Sequence, residues 1–143
     1  HDGENLAGTL HLPDEPSRFG VVLGHCFTCT RHTSILRQLA KDLAEEGFVA
    51  LRFDFSGNGQ SEGEFSQSTY SKQIAEMQKA AEIVTSNGVS WIGMAGHSMG
   101  GLISFLFIFA HPPVPGKYFL KQQIFVLIQA IFFQKTEKFC GHH

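Results

Sequence analysis

The first hundred residues alternate between short apolar runs and longer segments with helical spacing. Residues 20–24 form a continuous apolar run, and residues 48–53 and 89–95 are mostly apolar; short runs of this kind are typical of strands buried in a parallel sheet. Between them, apolar residues recur every three or four positions from Ser34 onwards and over residues 71–85, which predicts two amphipathic helices. The order strand, helix, strand, helix, strand predicts an α/β fold with a mostly parallel sheet that helices cover on both faces.

Residues that flank these segments fit the predicted ends. Thr33 is expected to be the N-cap of the first helix, and Gly47 to close that helix as a C-terminal glycine. Residues 6–12 carry apolar side chains between glycine and proline, which predicts an antiparallel opening strand or hairpin. Trp91 and Met94, in the last predicted strand, are expected to lie in the core.

Length and charge then exclude several classes of protein. The 143 residues have the size of one domain, and a hydrophobic fraction of 43% excludes a disordered chain or a coiled coil. The net charge of −2 lacks the basic excess of a nucleic-acid-binding protein, so no nucleic acid is expected as a partner. The chain starts at His1 without a leader-like segment, and we expect it to be a piece of a longer sequence.

The composition changes near Gly101. Twelve of the thirteen acidic residues precede this glycine, and eight of the fourteen phenylalanines follow it. We therefore divide the chain into residues 1–101 and an apolar, Phe-rich tail, residues 102–143. The spacing of residues 102–109 fits both a helix and a strand. Residues 118–133 are apolar but interrupted by Lys and Gln, short of the roughly 20 residues that cross a bilayer, so a membrane partner is not expected.

The three cysteines, Cys26, Cys29 and Cys140, are too few for a disulfide framework. A reducing, cytoplasmic location is therefore the default expectation, with Cys26 and Cys29 as small buried thiols. Their C-x-x-C spacing does not favour a redox pair, which usually opens a helix, or a zinc site, which needs a second pair of ligands. No metal is expected.

The chemistry is concentrated at Ser98. Residues Gly96, His97, Ser98, Met99 and Gly100 fit the pattern G-x-S-x-G and follow a predicted strand directly. In a nucleophile elbow of this kind the serine occupies a strained turn, and the flanking glycines let neighbouring backbone pass closely. Ser98 is the candidate nucleophile, and His97 is expected to pack or hydrogen-bond rather than act as the base.

A serine nucleophile also needs an oxyanion hole. The pattern requires one backbone N–H from the residue after the serine, here Met99, and one from a loop after an earlier strand. Phe27 lies in the loop after residues 20–24 and is the candidate for the second N–H. Each donor of this kind typically stabilises the transition state by about 3 kcal/mol. His25, in the same loop, is expected to be structural, and Asp54 to cap a loop.

Three motifs in this order resemble the α/β-hydrolase superfamily. They are GHCF at residues 24–27, RFDFSGNGQSEG at residues 52–63 and AGHSMGG at residues 95–101. The chain resembles the serine aminopeptidase and esterase-like group, and is most similar to hydrolases joined to OsmC-like domains. The resemblance covers residues 3 to about 101.

The resemblance implies hydrolysis of an ester, thioester or amide through an acyl-enzyme. It implies a small acyl substrate and neither a metal nor an organic cofactor. It also implies an α/β-hydrolase sheet flanked by helices, here truncated after the nucleophile elbow. In the family, an acid and then a histidine follow the serine.

The sequence after Ser98 departs from that order. It offers a single acid, Glu137, and three histidines, none at the expected spacing: His111, His142 and His143. We therefore expect a hydrolase that is inactive in this chain, with the tail as replacement sequence. The alternative is a non-catalytic pseudo-hydrolase or interaction module that binds a protein partner through the apolar tail.

Overall fold

The computed structural model describes residues 3–110. In this part of the chain, four strands and three α-helices alternate, with a short 3-10 turn at Phe65–Gln67 before the second helix. In chain order they are β1 (Gly8–His11), β2 (Phe19–Gly24), α1 (Ser34–Glu45), β3 (Val49–Phe53), α2 (Tyr70–Thr85), β4 (Trp91–Gly96) and α3 (Met99–Ala110).

The four strands form one sheet in the order β1-β3-β2-β4. β2 lies between β3 and β4 and pairs with both in parallel, so that Val22 is opposite Leu51 on one side and Met94 on the other. β1 pairs with β3 antiparallel, as expected for the opening strand. The prediction of a mostly parallel sheet flanked by helices is confirmed.

Successive side chains of the strands enter two separate cores, one on each face of the sheet, because strand side chains alternate in direction. On one face, α1 buries Leu36 and Ala40 against three strand residues, Val21, Leu23 and Ala50. On the other face, α2 and α3 cover the larger cluster, which includes Val22, Val49, Leu51, Phe53, Met77, Val84, Met94, Ile103 and Phe107. Both faces are covered, so the strands read as continuous apolar runs.

Both ends of α1 lie at the residues that the sequence predicts. Thr33 occupies the N-cap position, but its hydroxyl donates to the Thr30 carbonyl at 2.8 Å and caps no helical N–H. Thr33 is therefore the N-cap residue, as predicted, but without a side-chain cap, because the preceding turn competes for the hydroxyl. Gly47 has φ +88° and its N–H donates to the Ala44 carbonyl, so it closes the helix as predicted.

Trp91 differs from the expectation of a core residue. It is half-buried rather than a core residue, since it opens β4 at the edge of the described sheet. Its ring packs edge-on against Phe19, with the ring centroids 6.0 Å apart, and lies over Gly93. Met94, further along the strand, is buried as expected.

Helix α3 crosses the predicted division of the chain at residue 101. Of the two alternatives for residues 102–109, the structure has the helix. Its buried residues Ile103 and Phe107 are four positions apart and face the sheet, whereas Phe105 and Phe109 are exposed. The division into residues 1–101 and a tail stays a prediction, and residues 111–143 lie outside the described part.

Substituting Ile103→Ala is expected to lower the free energy of unfolding by about 2–5 kcal/mol, because it leaves a cavity under α3. The matched control is Leu102→Ala on the exposed side of the same helix, with an expected change within about 0.5 kcal/mol. Urea unfolding followed by circular dichroism measures both. Equal effects of the two substitutions would contradict the packing of α3 on the sheet.

Candidate active site

Ser98 lies in a sharp turn between a strand and a helix. β4 ends at Gly96 and α3 begins at Met99, so a two-residue turn makes the connection. Ser98 has φ +54°, a left-handed backbone conformation that residues other than glycine seldom adopt. The residue is exposed to solvent. The turn thus presents the hydroxyl at the carboxyl end of the sheet.

Three glycines make room for this turn. A Cβ on Gly96 would overlap the carbonyl of Gly100, and a Cβ on Gly100 would overlap the carbonyl of Gly24 at the end of β2. The backbone N–H of His97 donates to the same Gly24 carbonyl at 3.1 Å. The start of α3 is therefore in direct backbone contact with the ends of β2 and β4.

The turn after β2 is closed by a disulfide between Cys26 and Cys29. The expectation of two free thiols is wrong, because a tight turn brings the two cysteines together. The Cys29 N–H donates to the Cys26 carbonyl at 3.0 Å, and Thr28 has φ +58°, so their Cα atoms are 5.1 Å apart. The Phe27 side chain is exposed and stacks edge-on against Phe65.

Both candidate oxyanion donors have a backbone N–H that is not engaged elsewhere. Among residues 3–110, no hydrogen bond uses the N–H of Phe27 or of Met99. Met99 is the first residue of α3, where N–H groups have no partner within the helix. Its side chain is buried, and its sulfur accepts a hydrogen bond from Gln73 at 3.5 Å. The assignment of both donors stays a prediction.

His25 connects the turn to the loop after β3. Its ring is fully buried, with Nδ1–H donating to the Cys26 carbonyl at 2.7 Å and Nε2 accepting from the Phe55 N–H at 3.0 Å. Burial lowers the pKa of His25 and outweighs the opposing effects of the Cys26 carbonyl and the Asp54 carboxylate. The ring is therefore neutral near pH 7 and has a structural role, as expected.

Asp54 organises the loop that follows β3. Its buried carboxylate accepts from the backbone N–H and the guanidinium of Arg31, and from the Gln60 N–H at 3.0 Å. The guanidinium also donates to the side chain of Gln60. Asp54 is thus a loop-capping carboxylate, as expected. Sequence reasoning missed the buried Arg31, whose partner lies 23 residues away.

Glu76 is a buried acid that sequence reasoning also missed. It lies on the face of α2 that contains Met77 and Ala80. This position on the apolar face of the helix is the sequence signal that could have identified Glu76 as buried. One carboxylate oxygen accepts from the Ser56 N–H at 3.2 Å, and the other has no partner among the described residues. Burial raises the pKa of Glu76 against the lowering effects of the Ser56 hydrogen bonds and of Lys72.

The family assignment follows from a match over most of the chain. The sequence model of the family described as serine aminopeptidase, S33, matches residues 17–132. The chain belongs to this family. It is therefore an α/β hydrolase by fold. The likeness to hydrolases joined to OsmC-like domains stays a prediction. No curated protein matches the chain.

Several solved structures are similar to this α/β hydrolase. Est1E from Butyrivibrio proteoclasticus, solved with ferulic acid bound, is 29% identical with a TM-score of 0.70, over 75% of this chain and 44% of Est1E. The esterase Pf2001 from Pyrococcus furiosus is 27% identical with a TM-score of 0.64, over 73% of this chain and 42% of that protein.

A serine hydrolase homologue from Coxiella burnetii, 22% identical with a TM-score of 0.67 over 75% of this chain and 53% of that protein, shares the fold. The α/β hydrolase described here spans less than two thirds of the length of each of these structures.

The described part of this α/β hydrolase has no hydrogen bond between the Ser98 hydroxyl and an imidazole. His97 is half-buried, and its Nδ1 has no partner among residues 3–110. The later candidates for the triad lie outside the described residues: Glu137, His111, His142 and His143.

Within residues 3–110, no group of three His, Cys, Asp or Glu side chains is placed to hold a metal ion. None of the helices in this range is long and apolar enough to span a bilayer.

Glu76→Gln is expected to change how stability depends on pH. Because the folded pKa of Glu76 is raised, the folded state binds more protons than the unfolded state above the ordinary glutamate pKa of about 4.3. The contribution of Glu76 to stability is then greatest at low pH and is lost as the pH rises through the folded pKa.

Urea unfolding at several pH values between about 4 and 8 measures this effect. The stability of Glu76→Gln relative to wild type should rise with pH over this range. A constant difference between wild type and Glu76→Gln would contradict the raised pKa.

Proposed function

We propose that this chain carries the nucleophile and the oxyanion hole of a serine hydrolase that cleaves an ester, thioester or amide. Ser98 Oγ attacks the carbonyl carbon of a small acyl substrate, and the leaving group departs as the acyl-enzyme forms. Water then attacks the acyl-enzyme and releases the acid. The observation that carries the proposal is the positive φ of an exposed serine in a turn from strand to helix.

The oxyanion is proposed to accept from the N–H groups of Phe27 and Met99. Two features support this assignment. Both groups are without another hydrogen bond in the described part of the chain, and their segments are in backbone contact, since His97 donates to the Gly24 carbonyl. Preorganised donors of this kind lower the barrier because they do not reorganise as charge develops.

The substrate class is proposed from the chemistry and from two relatives. An oxyanion hole with a serine nucleophile suits acyl transfer to water. One similar structure contains ferulic acid, and another is described as an esterase. An ester of a small carboxylic acid is the first class to test.

The chain itself is proposed to be a feeble catalyst. Without a base in the order that the family uses, the proton of Ser98 has to pass to solvent during attack. Removing the histidine of a serine-protease triad costs on the order of 10⁶ in kcat. The neutral His25 cannot substitute, since both of its ring nitrogens are engaged.

The non-catalytic alternative has one observation in its favour. Leu102, Phe105 and Phe109 form an exposed apolar strip on α3, within the first residues of the predicted tail. An exposed apolar patch of this kind is found at protein interfaces. This alternative predicts a stable fold in which the Ser98 hydroxyl reacts no faster than any other serine.

A fluorophosphonate probe, which forms a covalent bond with an activated serine, distinguishes these possibilities. Slow labelling of one serine, over hours, is expected, and Ser98→Ala should abolish it. The matched control is Ser71→Ala, at an exposed position of α2, which should label like wild type. Intact mass measured over time gives the rate.

Two results would contradict parts of the proposal. Labelling that persists in Ser98→Ala would exclude Ser98 as the nucleophile. Complete labelling within minutes that depends on Ser98 would support the nucleophile but contradict the feeble activity of the chain.

A further inference from the structure

The Cys26–Cys29 disulfide encloses Phe27, one of the two proposed oxyanion donors. Phe27 and Thr28 are the two residues enclosed between Cys26 and Cys29. The turn is closed twice, by the disulfide and by the hydrogen bond from the Cys29 N–H to the Cys26 carbonyl. The direction of the Phe27 N–H is thus set within a ring of four residues.

Both sides of this ring are attached to the fold by other contacts. On the β2 side, His25 binds the Cys26 carbonyl and the Phe55 N–H. On the α1 side, the Thr30 carbonyl accepts from Thr33, and Arg31 is bound to Asp54. Opening the disulfide therefore leaves the surrounding core in place and frees the turn itself.

The turn also holds Thr28 in a backbone conformation that threonine avoids in an unconstrained chain. Thr28 has φ +58°, and a β-branched side chain is strongly disfavoured there. With one of the two closures removed, Thr28 relaxes towards negative φ, and the neighbouring dihedral angles change with it. The Phe27 N–H then loses its fixed direction.

One sulfur is more accessible than the other. Cys26 is 9% exposed, whereas Cys29 is half-buried and follows the exposed Phe27 and Thr28. A small thiol approaching from solvent meets Cys29 first. Cys26, packed against the end of β2, becomes the leaving sulfur.

We propose that the Cys26–Cys29 disulfide is a redox-sensitive clamp on the oxyanion hole, and that its reduction by a small thiol slows the reaction of Ser98. The inference rests on the proposed function, since it treats the Phe27 N–H as an oxyanion donor. It adds a regulatory input: the redox state of the chain sets the reactivity of the serine.

The reductant is a low-molecular-weight thiol. Its thiolate attacks the sulfur of Cys29, a new S–S bond forms, and the bond to Cys26 breaks, so that Cys26 leaves as a thiolate and takes up a proton. A second thiol attacks this mixed disulfide and releases the oxidised small molecule, and Cys29 takes up the second proton. Two small thiols are oxidised for each protein disulfide reduced.

The test compares the full chain after oxidation by glutathione disulfide and after reduction by dithiothreitol. Iodoacetamide alkylation and intact mass count the free thiols, and Cys140→Ser removes the third cysteine from the count. The fluorophosphonate labelling rate of Ser98 is then measured in both states. Reduction should slow labelling about tenfold or more, because losing one oxyanion donor costs on the order of 10²–10³ in rate.

Two variants serve as controls. The double variant Cys26→Ser, Cys29→Ser should label at the slow rate in both conditions. Cys140→Ser should respond to reduction like the wild type. Thermal melting of the reduced chain should remain cooperative, which separates loosening of the turn from unfolding.

Three outcomes decide the inference. Equal labelling rates in the two states would overturn the inference, provided that two additional thiols are counted after reduction. Free thiols at Cys26 and Cys29 in the oxidised chain would also overturn it. If Ser98 is not labelled in either state, the proposed function has failed. Amide hydrogen exchange at residues 26–29 then tests the structural part of the inference separately: faster exchange after reduction shows that the disulfide fixes the turn, and unchanged exchange overturns the clamp.

Discussion

The close approach of three backbone segments is the constraint on which the site depends. The first turn of α3 crosses the carboxyl ends of β2 and β4 with no space for a Cβ at Gly96 or Gly100 and only a tight fit for one at Gly24. This contact places the turn at Ser98 over the edge of the sheet, and it brings the loop after β2 to the same edge. Side chains at Gly96 or Gly100 would push α3 away and separate Ser98, the proposed nucleophile, from the proposed oxyanion donors.

Around this contact, buried polar side chains hold the loops by their backbone N–H groups. Asp54 binds the N–H groups of Arg31 and Gln60, Glu76 binds that of Ser56, and His25 binds that of Phe55. A buried backbone N–H without a partner is costly, so each of these side chains fixes the path of a loop that could not be held by packing alone. The loops at the carboxyl end of the sheet are therefore held in position by the fold itself.

Local patterns predicted the elements of the fold because strands and helices repeat at short range. The apolar run of residues 20–24 became β2, and G-x-S-x-G after a strand marked the turn at Ser98. Features that depend on distant residues escaped this reasoning. The half-exposed position of Trp91 follows from the strand order, and the partner of Arg31 follows from tertiary packing. The disulfide required the conformation of Thr28, which composition does not reveal.

Among residues 3–110, Thr28 and Ser98 are the two residues other than glycine with positive φ. A left-handed conformation costs an ordinary residue about 1–2 kcal/mol, a noticeable part of the 5–15 kcal/mol that typically separates folded from unfolded domains. Thr28 follows the proposed oxyanion donor Phe27, and Ser98 is the proposed nucleophile. Screening variants of this chain for heat tolerance alone would therefore favour glycine or asparagine at these two positions, and stabilised variants would be selected away from reactivity.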